Sequence, residues 1–162
     1  MPNVEQAVVT NTTPLIALTA ATGSLDALRF IYTRVVVPFE VVQEIEAGGH
    51  DAFGVDVFKS ASWLETRVAP VVLTPYLQNS LDLGEASVIQ TALDLGVKRV
   101  CIDETIGRRL ARLSNLSVTG TIGVLIKAKS QGYDVSIPDA LERMRQRGIW
   151  LSQEVIRFAL AH

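Results

Sequence analysis

One cysteine, Cys101, and two histidines, His50 and His162, are all that 162 residues contain of the thiol and imidazole metal ligands. A single thiol rules out an intramolecular disulfide and a Cys-rich zinc site, and its place in a Val/Ile-rich run fits a reducing compartment. Two isolated histidines argue against a Ser-His-Asp triad, an H-E-x-x-H helix and a multi-histidine centre. Chemistry therefore falls to carboxylates. Tyr, Phe and Trp make up 6% of the chain, too few and too dispersed for a base-stacking row. No apolar run approaches the roughly 18 residues of a membrane span. Leu15–Ala21 is apolar, but Glu5 precedes it and no Lys or Arg occurs before Arg29, so the positive flank of a secretion signal is missing and a cytoplasmic location is expected. Neither G-x-G-x-x-G after a strand nor G-x-x-x-x-G-K-[ST] occurs, which removes the usual phosphate cradles of dinucleotide-binding and P-loop proteins.

What is present is a chain 48% hydrophobic with mean hydropathy +0.28. That content suffices for one domain over residues 1–162 whose core needs no metal or disulfide, so a bound metal would serve function. The 15 bases and 17 acids are spread unevenly: residues 1–97 hold 4 bases and 11 acids, residues 98–162 hold 11 and 6. Such polarity suits an acidic, cation-binding pocket beside a basic track for a polyanion, or simply two oppositely charged solvated faces.

Apolar β-branched runs alternate with 3.6-period segments, the pattern of an α/β fold with helices on both faces of a parallel sheet. Strands are expected at Ala7–Thr10, Arg34–Val37, Arg99–Ile102 and Leu116–Thr119, with Trp63–Val68 extended. Helices are expected from the Thr13-Pro14 cap to about Ala21, at Leu25–Ile31, from Pro38 to the Gly48-Gly49 stop, over 51–60, and at Gly84–Leu95 and Thr105–Leu113. Further helices fall at Ile122–Lys129, Pro138–Arg147 and Ser152–Ala161, the last either packing on the domain or pairing with another subunit. Val71–Leu81, with Pro70 and Pro75 in or beside it, carries no clear period. Ile106, Leu110 and Leu113 form the expected buried stripe of their helix.

In an open parallel sheet the functional crevice lies beyond the carboxyl ends of the strands, where strand order reverses. Asn11 and the pair Asp103-Glu104 follow two such ends. Glu85 shares a helix face with Ile89 and Ala92, which turns its carboxylate toward the interior. Glu44, amid Val41, Val42 and Ile45, is expected half inside, whereas Glu40 and Glu46 read as surface acids. Each has an ordinary structural alternative: Asp82-Leu83-Gly84-Glu85 as a capping box, Asp103 as a helix cap, Asn11 in an Asx turn. Oxygens converging from separate elements would bind Mg²⁺ or Mn²⁺, ions suited to phosphodiester hydrolysis. Arg108 and Arg112, at i,i+4, could grip flanking phosphates, with Lys127 and Lys129 extending the track, or form a solvated helix face.

The order Val8-Val9-Thr10-Asn11-Thr12-Thr13-Pro14-Leu15, then Val36-Val37-Pro38 with Glu44, Leu83-Gly84-Glu85-Ala86, and Ile102-Asp103-Glu104 with Arg108, resembles PIN-domain proteins. The continuation Val118-Thr119-Gly120-Thr121-Ile122-Gly123 is similar to a compact prokaryotic branch of that family, and the likeness spans about residues 7–151. The resemblance implies a three-layer α/β/α fold and an Mg²⁺/Mn²⁺-dependent endoribonuclease acting on RNA. It also implies kinship with VapC-type toxins, often homodimers inhibited by a small antitoxin protein. Catalytic positions carried over are Asn11, Glu44, Glu85 and Asp103 or Glu104, with Asn11 standing where the family's first aspartate normally is. Thr12, Thr13 and Thr121 fall in supporting positions. An amide at 11 keeps an oxygen ligand but removes one charge, which lowers the expected affinity for a divalent cation.

Overall fold

A computed structural model describes residues 6–49 and 52–162; Glu5, His50 and the first residue of the expected 51–60 helix lie outside that range. Among the described residues five strands run in parallel: β1 (Ala7–Thr10), β2 (Arg34–Val37), β3 (Glu65–Thr66), β4 (Arg99–Cys101) and β5 (Ser117–Thr119). Their order is β3-β2-β1-β4-β5. The chain builds outward from β1 through β2 to β3, then crosses back to lay β4 on the other side of β1, so strand order reverses between β1 and β4. The expected three-layer α/β/α fold is the one observed.

Between the strands lie α1 (Thr12–Thr22), α2 (Asp26–Ile31), α3 (Phe39–Glu46), α4 (Val55–Ser60), α5 (Pro75–Ser80), α6 (Leu83–Leu95), α7 (Thr105–Leu113), α8 (Thr121–Ser130), α9 (Ile137–Gln146) and α10 (Gln153–Leu160). On one side α6 packs over β1 and β4 and is flanked by α3, α5 and α7; on the other, α2 packs on β2 and α8, and α1 on α8 and α9. α10 packs on α8 and α9 with Ala159 buried, which takes up the C-terminal segment within the fold.

β1 and β2 are buried along Val8, Val9 and Val35–Val37 because helices cover both faces, so their sequences run apolar without alternation. Several helix starts follow from their caps: Asp82 accepts from Glu85 N at 2.8 Å, Ser136 from Asp139 N at 3.4 Å and Ser152 from Val155 N at 3.1 Å. Gly23, at φ 81°, closes α1 in the left-handed conformation that favours glycine.

Four expectations need correction. α1 begins at Thr12 with Asn11 at its N-cap position, and no side chain caps it, so neither Thr13 nor an Asx turn of Asn11 starts the helix. In α7 the expected stripe is not the buried face: Ile106 and Leu113 are each 66% exposed, Leu110 is half-buried against the core, and Gly107 and Ala111 are the buried residues. α7 approaches so closely that a Cβ on Gly107 would stand 3.0 Å from Ile102 Cγ2 and 3.3 Å from Glu85 Cδ. Only small residues fit that contact. In α3 the two acids exchange roles, Glu44 being exposed and Glu40 buried. Glu40 is drawn in because its Oε2 accepts from Val71 N at 2.9 Å, a partner remote in sequence.

Candidate active site

Main-chain bonding places the first functional side chain. Asn11 N donates to Cys101 O at 3.1 Å, which carries the β1–β4 ladder one residue past β1 and holds residue 11 beside the end of β4. Asn11 is 5% exposed, and its Oδ1 is buried without a hydrogen-bond partner. Gly84, in the first turn of α6, leaves room for it. A Cβ on Gly84 would stand 2.8 Å from Glu44 Oε2, 3.3 Å from Asn11 Oδ1 and 3.6 Å from Asp82 Oδ1. Oxygens from β1, α3 and the α6 cap therefore meet over one glycine.

One residue further along α6, Glu85 is 6% exposed on the same side as buried Ile89 and Ala92, as its spacing implies. Half of the capping-box alternative holds, since Asp82 caps Glu85 N. The Glu85 carboxylate does not reach back; it turns into the cleft. Burial, then the charges of Asp82, Glu104 and Glu44, push its pKa up to about 7. Like charges that cannot all ionise comfortably mark a place where a cation is favoured.

These groups line a cleft of about 590 Å³ at the carboxyl edge, with Asn11, Thr13, Glu44, Asp82, Glu85 and Glu104 on its walls and no Lys or Arg among the described residues there. Asn79 and Ser80 of α5 and Ile106 of α7 complete the rim. Reasoning from sequence missed the α5 contribution and read Asp82 only as a cap. The single clue was the position of both just ahead of Glu85.

Asp103 stands apart from this cleft. Its Oδ1 accepts from Thr121 N at 2.8 Å and its Oδ2 from Thr121 Oγ1 at 2.7 Å, so it ties the end of β4 to the start of α8. Gly120 makes the approach feasible, since a Cβ there would lie 2.6 Å from Asp103 Oδ1 and 2.8 Å from Arg108 Nη1. Arg108 Nη1 donates to Ile102 O at 2.8 Å. The adjacent acids thus divide: Glu104 faces Glu85, and Asp103 anchors a helix. Arg108 and Arg112 are outside the cleft wall, Arg112 being exposed. Lys127 departs furthest from the expected basic track. It lies at the opposite, amino edge of the sheet, because the length of α8 separates it from Thr121. Thr12 Oγ1 is buried without a partner, and Thr13 is exposed on the cleft.

The donor chemistry of the cleft fits a hard divalent cation: an orphaned amide oxygen beside a carboxylate oxygen, next to a carboxyl held up by its neighbours. As the side chains stand, no three His, Cys, Asp or Glu among the described residues are grouped closely enough to hold a metal ion. Glu44, Asp82 and Glu104 are the exposed acids of the cleft, and Glu85 the buried one.

Acids that gather at the carboxyl edge of a parallel α/β sheet, at the reversal of strand order, stand where such folds bind their ligands. The family model for the PIN domain matches residues 7–162. The chain belongs to the PIN-domain family, whose members are commonly nucleases. A search of curated proteins finds no match. Among the described residues no helix is long and apolar enough to cross a membrane.

Proposed function

We propose that this PIN domain, a single domain over residues 1–162, is a Mg²⁺- or Mn²⁺-dependent endoribonuclease whose ion is held by Asn11, Glu44, Glu85 and Glu104. The observation that carries this reading is the meeting of the unpartnered Asn11 Oδ1 and Glu44 Oε2 over Gly84, beside a Glu85 carboxyl raised to about 7. When bound, the ion lowers the pKa of an attacking water and neutralises charge on the scissile phosphate. The chain's own residues do the rest. Asn11 is fixed by the main-chain bond to Cys101, Glu85 loses its proton when positive charge enters the cleft, and Asp103 holds β4 and α8 together so that Glu104 stays in place. Arg112, exposed on α7, is available to phosphates flanking the cut.

The expected result is cleavage of single-stranded RNA in Mn²⁺ that chelator abolishes. Asn11→Asp, which restores a charge without changing chain position, should raise the rate. A second reading, an RNA- or protein-binding module that does not cut, is favoured by the amide at 11 and by the spread of the acids. It requires salt-sensitive RNA binding that is indifferent to Mn²⁺, and no cleavage by the parent chain. Exposed Ile106 and Leu113 support a protein partner on α7, in keeping with the toxin of a toxin–antitoxin pair and with a homodimer in the cytoplasm. Copurification of the product of the neighbouring reading frame tests the first, and sedimentation the second.

A further inference from the structure

At the amino edge of the sheet, away from the acidic cleft, a cavity of about 340 Å³ opens beside the starts of β1, β2 and β4 and against α8. Tyr32, Arg34, Lys98, Arg99 and Lys127 line it, and among the described residues no carboxylate stands on its wall. Arg34 is engaged by Glu65, to which it donates at 2.9 and 2.8 Å. Arg99 and Lys127 are half-buried and form no ion pair with any of the described residues, and the Lys127 ammonium sits 5.2 Å over the Tyr32 ring. Burial, and then the Arg99 charge, push Lys127 below its ordinary pKa. Two neighbouring cations are thus held together without an anion among the described residues.

Tyr32 supplies an independent sign. It is 4% exposed, and its buried hydroxyl lies within reach of Arg99 and Thr119 without a well-formed hydrogen bond to either. Folded proteins seldom leave such a group unsatisfied. Cations and a hydroxyl donor, with no carboxylate opposite among the described residues, call for an oxyanion. Adjacent Arg and Lys charges favour a phosphate dianion over a carboxylate. The volume falls within the range of about 300–1,000 Å³ typical of small-molecule sites.

We propose that this cavity is a phosphate-binding site for a small phosphate monoester or free phosphate, with Arg99 and Lys127 neutralising the charge and the Tyr32 hydroxyl donating to a phosphate oxygen. The site is independent of the nuclease reading.

Calorimetric titration of the full chain with inorganic phosphate, adenosine monophosphate and adenosine, at ionic strength held constant with sodium chloride, tests it. Saturable binding of the two phosphate compounds is expected, with Kd on the order of 1 mM, and none of adenosine. A Kd about tenfold tighter for the monophosphate assigns the site to a monoester; equal values assign it to free phosphate. Lys127→Met should abolish binding, Lys127→Arg should restore it, and Tyr32→Phe should weaken it about fivefold, each with an unchanged circular dichroism spectrum. Exposed Lys98→Met serves as a second variant, with an intermediate loss, should Lys127→Met fail to fold. Glu85→Gln should bind phosphate like the parent chain. Failure of both phosphate compounds to bind, a heat signal that sodium chloride alone reproduces, or undiminished binding in the folded Lys127→Met or Lys98→Met chain overturns the proposal.

Discussion

Among the described residues, Glu44, Asp82, Glu85 and Glu104 crowd one cleft at the carboxyl edge without a Lys or Arg on its wall, while at the amino edge Lys98, Arg99 and Lys127 share a cavity without an Asp or Glu. The acid-rich first half and base-rich second half of the chain do not account for this. Glu104 comes from the basic half and Arg34 from the acidic half. In a parallel sheet every strand begins at one edge and ends at the other, so a residue's place before or after its strand sorts the charge. Arg99 opens β4 and Glu104 follows it, and that short strand is enough to send them to opposite edges.

The largest expected effect lies at the acidic edge. Glu85→Gln should lower Mn²⁺-dependent RNA cleavage about 100-fold, roughly 2.7 kcal/mol in the barrier, measured by single-turnover cleavage; equal rates in the two proteins would break the assignment of chemistry to that edge. Asp103→Asn sharpens the contrast between adjacent acids. It weakens the paired bonds to Thr121, so it should cost about 1–2 kcal/mol of stability, seen as a melting temperature lower by several degrees. Its effect on Mn²⁺-induced stabilisation should be smaller than that of Glu104→Gln.

A pH effect follows from Glu85. With its native pKa near 7 against an ordinary 4.5, the carboxyl binds its proton more tightly in the folded state. Ionisation therefore costs stability: none is lost below about pH 4.5, and the loss grows as pH rises through 7. In chelator, Glu85→Gln should melt with the parent chain near pH 4.5 and progressively above it toward pH 8, as read by differential scanning fluorimetry. Mn²⁺ should close that margin. The smallest change is expected for Ile106→Ser, within about 0.5 kcal/mol of the parent, because the side chain is 66% exposed. A large drop in denaturation midpoint would mean that α7 is covered in solution.

The legible parts of the sequence were those governed by local rules. β-branched runs gave β1 and β2, caps and glycines bounded several helices, and the spacing of Glu85 with Ile89 and Ala92 gave its inward direction. Contacts between distant segments were not legible. Periodicity in α7 reported where the large apolar residues lie, but the close approach of Ile102 and Glu85 to Gly107 sets which face is buried. Glu40 is buried by a bond to Val71, and nothing within α3 announces it. α5 is six residues long, too short for a helical period, yet it supplies part of the cleft rim. The pair Asp103-Glu104 could not be divided from sequence because the division depends on Thr121 and Gly120, a helix and a strand away.

The bond from Asn11 N to Cys101 O means that the backbone sets the whereabouts of position 11 and its side chain sets only the valence offered there. Exchange between amide and carboxylate at that point acts like a dial on the electrical demand for an ion, turning without disturbing the frame around it. A lineage could thereby trade catalytic vigour for restraint by a single codon and keep the same architecture.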